Sequence, residues 1–319
     1  MKAVRIHEDG GPEVLRYEEV PAPVAKPGEV LIRLRAASLN HLDLWVRKGL
    51  PSVPKPRILG ADGAGFRDDT GERVVINPGL EHGDRITVLG EHMDGTHAEL
   101  IAVPETNVYP IPESLSFEEA AAFPLVFETA WRMLVTKAAL RDGEWVLIWG
   151  IGGGVATASL AIAKALGARA VVTSSSDEKL ERARALGADA TVNHAREEVA
   201  ARVKELTDGG AHVVVETVGA ATWQASLASA RPAGRVCVCG ATTGVNPPAN
   251  LHRLWWKQLT VYGSTMGTRD DFEAVLGLVV SGRATPVIDS VYPLSEVRAA
   301  HERLESGEQM GKVVLRIPA

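Results

Sequence analysis

From Lys2 to Val108 apolar and polar positions alternate in short runs, V-L-R-Y-E-E-V, E-V-L-I-R-L-R-A-A, R-V-V-I-N and T-H-A-E-L-I-A-V, cut by Pro and Gly. A period of two broken by turn residues predicts antiparallel strands in a compact β domain, with one helix starting near His41. The pattern changes at Leu115. Residues 115–140 read as helix, with Ser116 as N-cap and Glu118 and Glu119 in the first turn, where the helix dipole favours acids. Trp145 to Trp149 form a continuous apolar run, as expected of a strand buried on both faces, and a glycine cluster breaks it before an Ala-rich helix near Val155.

Strand and helix then alternate strictly. Gly167 reads as a helix C-cap, A-R-A-V-V-T-S-S-S as a strand, 177–186 as a helix closed by Gly187, and A-D-A-T-V-N as the next strand. An amphipathic 196–206, the strand H-V-V-V-E-T-V-G, a helix over 222–230 and the strands R-V-C-V-C-G and L-T-V-Y-G-S follow, which makes six strands. With short loops this alternation gives right-handed crossovers and a doubly wound parallel α/β sheet. The tail does not continue the alternation. It reads as a helix over 269–281, a turn plus helix in V-Y-P-L-S-E-V-R-A-A-H-E-R-L-E-S, and a strand K-V-V-L-R-I that folds back onto the first domain.

Gly150, Gly152, Gly153 and Gly154 allow a tight turn and let backbone approach a pyrophosphate at the following helix N-terminus. The strict G-x-G-x-x-G spacing is broken by Val155, so the strand–loop–helix context carries the reading. At the tip of the second strand stand Ser174 and Ser175, with Asp177 two residues beyond. An acid at that tip would bind the ribose 2′-hydroxyl of NADH; its absence, with Lys179 in the next helix, predicts NADP(H).

Composition narrows the partners. The 319 residues are 45% hydrophobic and 23% charged, enough for about two domains with a sizeable core. A net charge of −6 gives no basic field for nucleic acid or an acidic membrane surface. No stretch reaches the roughly 18 apolar residues of a membrane span, and the first ten residues have no apolar core of a signal, so a cytoplasmic location is expected. Cys237 and Cys239 alternate along one strand, which fits buried thiols better than a disulfide or a metal cage.

The strings R-A-A-S-L-N-H-L-D-L-W-V-R-K-G, I-L-G-A-D-G-A-G, E-E-A-A-A-F-P-L-V-F-E-T-A-W, G-I-G-G-G-V and L-T-V-Y-G-S-T-M-G together resemble the medium-chain dehydrogenase/reductase superfamily over nearly the whole chain. The pattern of Asn40, Asp43, Arg47 and Gly49 is similar to its zinc-free quinone oxidoreductase branch. The resemblance implies a Rossmann domain at 117–264 and a discontinuous GroES-like β-barrel domain at 1–116 and 265–319. Where the zinc enzymes place their Cys, His and Cys ligands the chain carries Asn40, Ala61 and Leu125, with Asp62 as the acid beside the second position, so no metal is expected. The four-cysteine structural zinc lobe is also absent, leaving a short connection at 80–85.

The resemblance further implies a catalytic role for Asn40, Asp43 and Thr129, the last packing against the nicotinamide. It places cofactor contacts at His41, Thr129 and His194, and beyond the later strands at Val218, Gly240, Ala241, Thr242 and Ser264. Two readings of Asn40 stand side by side, a helix cap or an amide that polarises a substrate oxygen. Asp43 and Arg47, four residues apart, read as a helix ion pair, and Glu128 as a side chain turned to solvent. His92, His97 and Glu99 are weighed as a metal cluster and set aside. Trp45, Trp255 and Trp256 read as core, interface or pocket wall. The expected function is hydride transfer from NADPH to a quinone, enone or activated carbonyl by a homodimer or homotetramer, a small molecule being the partner. Its rivals are a non-catalytic nucleotide-binding relative and a zinc-free alcohol dehydrogenase.

Overall fold

The computed structural model describes residues 1–83 and 85–318. The chain forms two compact units, one of 1–125, 268–281 and 286–319, the other of 126–267 and 282–285.

The first unit is built around the long strand Glu29–Ser38. It pairs antiparallel with Asp62–Arg67, Leu100–Pro104 and Lys312–Arg316, in a seven-stranded sheet completed by Arg73–Ile76, Val108–Pro110 and Ile288–Pro293. The last runs parallel to Lys312–Arg316, so V-Y-P belongs to a strand rather than to the expected turn. A three-stranded sheet of Lys2–Ile6, Arg16–Glu19 and Arg57–Ile58 lies in the same unit. In the stretch expected as a short connection, Gly79–His82 pairs antiparallel with Arg85–Val88, and His82 ends the first of these strands.

Register decides what the central strand carries. Ser38 stands opposite Asp62 on one side and Val314 on the other. Leu39 N–H donates to the Val313 carbonyl at 2.9 Å, so the antiparallel register runs on to set Lys312 opposite Asn40. Side chains two apart share a face of a sheet. Ser38 and Asn40 therefore meet Asp62 and Lys312 on one face.

The helix expected over 115–140 is in three pieces. Phe117–Ala121 opens with a capping box, Ser116 Oγ accepting from Glu119 N–H at 3.2 Å and the Glu119 carboxylate accepting from Ser116 N–H at 2.9 Å. It stops ahead of Pro124, whose ring occupies an N-terminal position of the next helix, Pro124–Trp131, and the chain then widens into π-type turns over Arg132–Lys137. The first piece packs on the first unit, with Ser38 Oγ donating to the Ala121 carbonyl at 2.8 Å.

The second unit holds one sheet of six parallel strands, Trp145–Ile148, Arg169–Ser174, Ala190–Asn193, Ala211–Glu216, Ala230–Val238 and Thr260–Gly263. They lie in the order third, second, first, fourth, fifth, sixth. The order reverses beside the first strand, and in such sheets ligands bind where that happens, outside the carboxyl ends of the strands. Helices Gly154–Ala165, Asp177–Ala185, Val199–Thr207 and Trp223–Ser229 supply the crossovers. A helix not anticipated from the sequence, Leu251–Trp256, precedes the edge strand in the chain and leaves Trp255 and Trp256 exposed. Among the described residues no helix is long and apolar enough to cross a membrane.

Candidate active site

The loop after the first parallel strand is pinned by backbone. Gly150 takes φ +62°, a left-handed turn that a side chain would strain. Its N–H donates to Thr173 Oγ1 at 3.2 Å and that of Ile151 to the Thr173 carbonyl at 2.9 Å. Gly153 is extended, the N-cap of Gly154–Ala165, with its N–H on the Gly150 carbonyl at 3.0 Å. The first-turn N–H groups of that helix, those of Gly154 and Val155 among them, have no carbonyl a turn earlier to meet. A Cβ built on Gly150 meets no atom within 4 Å, and one on Gly153 meets only the Gly150 carbonyl oxygen at 3.6 Å. Gly150 and Gly153, on either side of Gly152, thus keep clear a space that protein does not fill, rimmed by the positive end of a helix. That suits a pyrophosphate.

The tip of the second strand is brought to the same edge. Ser174 Oγ accepts from Ser176 N–H at 3.0 Å, and Ser176 caps the next helix by accepting from Lys179 N–H at 3.3 Å. Ser175 is exposed. Asp177 accepts from Asn193 Nδ2 at 2.7 Å and from the Arg196 guanidinium at 2.5 Å. His194 stands beside them, its N–H on the Ser174 carbonyl at 3.1 Å and its ring 6.4 Å from that of Trp149; burial lowers its pKa, so it is neutral at neutral pH.

Past the fourth strand, Glu216 accepts from the N–H groups of Val218 and Gly219 and from the Thr222 hydroxyl, between 2.8 and 2.9 Å. Ser226 links that carboxylate to Trp149 Nε1, which donates to Ser226 Oγ at 2.7 Å. Gly240, Ala241 and Thr242 follow the fifth strand, Thr242 N–H reaching the Thr217 carbonyl at 3.4 Å, and Ser264 follows the sixth, its N–H on the Val238 carbonyl at 2.8 Å. These residues all sit at the carboxyl edge of the sheet.

In the first unit the residues at the expected reaction centre converge on Asp62, which is fully buried. Its Oδ2 accepts from Ser38 Oγ at 3.0 Å, Asn40 Nδ2 at 2.9 Å and Lys312 Nζ at 2.9 Å, while Oδ1 accepts from Leu125 N–H at 2.8 Å. Lys312 Nζ also donates to Asn40 Oδ1 at 2.5 Å. Asn40 thus occupies the N-cap position of helix His41–Arg47, but its carboxamide faces Lys312 and Asp62, and the cap's carboxylate comes from Asp43, which accepts from Asn40 N–H at 2.7 Å. His41 lies alongside; burial, then the charges of Lys312 and Lys48, lower its pKa and leave it neutral.

Two expectations need correction here. Asp43 and Arg47 are not an ion pair. Asp43, buried so that its pKa is raised, is used up by the N–H groups of Asn40 and Gly60. Arg47, fully buried, reaches another helix, meeting Glu305 at 2.7 Å, His301 Nδ1 at 3.0 Å and the Gly10 carbonyl at 3.2 Å. Glu128 does not face solvent either: it is 0% exposed, because Pro124–Trp131 is buried on almost every side, and neighbouring Thr129 is buried with it.

The donor set around Asp62 does not suit zinc. Ala61 offers no donor atom, Leu125 offers a backbone N–H, Asn40 Oδ1 is taken by an ammonium, and Asp62 already accepts four hydrogen bonds. A divalent cation would also meet the charge of Lys312. Nor do His92, His97 and Glu99 gather: His92 Nδ1 accepts from Val88 N–H at 3.1 Å, Glu99 accepts from Lys2 N–H at 2.8 Å, and His97 is buried. Among the described residues no three His, Cys, Asp or Glu side chains are arranged to hold a metal ion. Cys237 is a buried free thiol, raised by burial to about 12, and Cys239 is also free. The sequence reading missed Lys312 and Ser38. The signal for the first was present, a lysine heading the apolar strand K-V-V-L-R.

A parallel sheet of this order with a glycine loop at its switch point, joined to an antiparallel β unit carrying a buried polar centre, defines a nucleotide-dependent oxidoreductase of two domains. The comparisons agree: residues 26–113 match the alcohol dehydrogenase GroES-like domain, and 154–281 match the zinc-binding dehydrogenase family. The quinone oxidoreductase of Pseudomonas aeruginosa is 34% identical over 98% of this chain and 99% of its own. The crystal structure of an NAD-dependent alcohol dehydrogenase is 41% identical with TM-score 0.96, covering 100% of both chains. That of the 2-octenoyl-CoA carboxylase reductase CinF in complex with NADP and 2-octenoyl-CoA is 27% identical with TM-score 0.91, over 99% of this chain and 87% of that one. The chain belongs to the medium-chain dehydrogenase/reductase superfamily, and its fold is the GroES-like and Rossmann pair of that superfamily.

Proposed function

We propose that this protein is a zinc-independent, NADPH-dependent reductase of conjugated enones, quinones or related activated carbonyls. The observation that carries the reading is the Asn40 amide, buried and held by Asp62 and Lys312 at the position where the zinc enzymes have a ligand. A reduced nicotinamide held at the glycine loop would supply the hydride. It adds to an electrophilic carbon, the displaced electron pair comes to rest on a conjugated oxygen, and solvent later returns a proton. Asn40 Nδ2 keeps one N–H beyond the one given to Asp62, and a neutral donor is enough for a delocalised enolate. Oxidation of a simple alcohol asks for more, because an unbound hydroxyl does not ionise near neutral pH without a metal or a strong base beside it. His41 is neutral and weakly basic there. The relative solved with NADP and 2-octenoyl-CoA holds a conjugated carbonyl of the same class.

For the cofactor, Ser174 and Ser175 leave room for a 2′-phosphate, and Asp177 is engaged by Asn193 and Arg196 rather than open to a ribose hydroxyl. A second reading, NADH, is favoured by the relative described as NAD-dependent. We assign a homodimer through the edge strand Thr260–Gly263, which has one neighbour in its sheet and follows closely in the chain on Trp255 and Trp256, 61% and 71% exposed.

Initial rates with NADPH and NADH against enones, quinones and simple alcohols test the reading. Replacing Asn40→Ala is expected to lower kcat about tenfold to a thousandfold, the range for losing one oxyanion donor, with NADPH affinity nearly unchanged. An Ala variant as fast as wild type, or a wild type that oxidises simple alcohols faster than it reduces any enone or quinone, rejects it. Higher kcat/KM with NADH rejects the cofactor assignment alone.

A further inference from the structure

Lys312 takes no chemical step in the reading above, yet its bonds fix the group that does. It is 3% exposed, and a lysine so buried persists only where its ammonium meets an anion and dipoles. It makes two hydrogen bonds among the described residues, to Asn40 Oδ1 and Asp62 Oδ2, and Asp62 Oδ2 accepts in turn from Asn40 Nδ2. Both ends of the Asn40 amide are therefore specified, oxygen against cation and nitrogen against carboxylate. A flip of the amide would set NH2 against the ammonium and oxygen against the carboxylate, two repulsions in place of two hydrogen bonds. Asp62 alone would fix the nitrogen through one bond; the ammonium fixes the plane.

The ammonium also acts on the strength of the donor. Withdrawing electron density through Oδ1 makes both Nδ2 hydrogens more positive, and a chain of hydrogen bonds in a low-dielectric interior polarises its members cooperatively. One Nδ2 hydrogen is held by Asp62 and the other has no acceptor among the described residues. The cluster is built before any substrate arrives, since the register that sets Lys312 opposite Asn40 belongs to the sheet.

We propose that Lys312 is a positioning residue for the reduction: it holds the Asn40 carboxamide with its second Nδ2 hydrogen available to the developing oxyanion and polarises it as a donor. The positive charge that zinc enzymes of the superfamily take from a metal is here supplied by the chain. The proposal rests on Asn40 being the oxyanion donor, and a merely structural counter-ion for Asp62 is the alternative it must beat. A counter-ion affects how much protein folds. A positioning residue affects turnover only while Asn40 is present.

A double-mutant cycle separates the two. Wild type, Asn40→Ala, Lys312→Met and the double variant are compared by kcat per folded molecule with reduced nucleotide and an enone, with nucleotide Kd and Tm measured on the same samples. Lys312→Met is expected to lower kcat tenfold or more with nucleotide Kd within about twofold, and to change kcat by less than about twofold in the Asn40→Ala background. Effects that multiply in the double variant, or wild-type kcat in Lys312→Met, overturn the proposal. Wild-type kcat in Asn40→Ala overturns instead the reading beneath it. Should Lys312→Met not fold, Lys312→Arg keeps a cation for Asp62 while its longer planar head displaces the amide. Its kcat is expected to fall severalfold at near-native Tm, again only with Asn40 in place, and an unchanged kcat overturns the proposal just as firmly.

Discussion

The glycine loop at 150–154 and the polar group around Asp62 are both built for charge, and they use opposite materials. The loop works with backbone and with what is missing: a left-handed glycine, a free helix N-terminus, and a space that no side chain enters. All its parts lie within a few residues, apart from the anchor at Thr173. The second group works chiefly with side chains, a serine, an amide, an aspartate and a lysine spread from residue 38 to residue 312, fully or nearly buried and hydrogen-bonded around one carboxylate. A phosphate site of the first kind tolerates change around it and fails when something is added. A buried network of the second kind fails when anything is removed, because the partner left behind keeps its desolvation cost.

The sharpest test of that contrast is removal. Asp62→Ala leaves the Lys312 charge buried and is expected to cost about 3–5 kcal/mol of stability, seen as a large drop in denaturant midpoint. Asp62→Ala paired with Lys312→Met should recover part of that loss, and a single variant as stable as wild type breaks the comparison.

Protons probe the same unit more gently. His97 and His301 are buried, with pKa values lowered chiefly by burial, His301 well below its ordinary value; the Arg47 charge pushes the same way on His301, while Asp43 partly offsets the effect on His97. The unfolded chain binds protons at these rings near pH 6.5 and the folded chain does not, so stability rises with pH and is lost as pH falls below about 6.5. The limiting slope is about 1.4 kcal/mol per pH unit for each ring. Asp43, raised by burial, acts in the opposite sense at lower pH. Tm is expected to be lower at pH 5.5 than at pH 7.5, and His301→Gln should flatten the slope. A Tm independent of pH over that range removes the assignment of neutral buried rings.

Addition tests the loop. Gly153→Val brings a side chain that the protein itself leaves room for, its Cβ only 3.6 Å from the Gly150 carbonyl. Tm should change little while nucleotide Kd rises about tenfold or more, a penalty of about 1.4 kcal/mol. Unchanged affinity means that the phosphates lie elsewhere.

The smallest effect is expected at the edge of the parallel sheet. Trp255→Ser with Trp256→Ser should shift the protein from dimer toward monomer in sedimentation, at nearly unchanged Tm of the folded chain. An undisturbed dimer assigns the interface to another face.

The sequence by itself determined the two units' characters and the nucleotide loop. A period of two, a continuous apolar strand and a glycine turn before an Ala-rich helix are local patterns, and they are legible without knowing which distant segments the strands pair with. Through its resemblance to the superfamily it also led to the expectation that Asn40, Ala61 and Leu125 replace metal ligands, since that needs only the identity of residues at matched positions. What those residues do instead was decided by tertiary structure. Glu128 reads as polar and exposed until the helix carrying it is buried on its other sides, and Asp43 and Arg47 read as a pair until Gly60 and Glu305 offer better partners. Lys312 reads as the solvated end of a strand until the antiparallel register sets it against a residue 272 positions earlier. Hydrogen bonds of that separation leave no periodicity in the chain, and only folding, which makes each buried charge find its partner, brings them together.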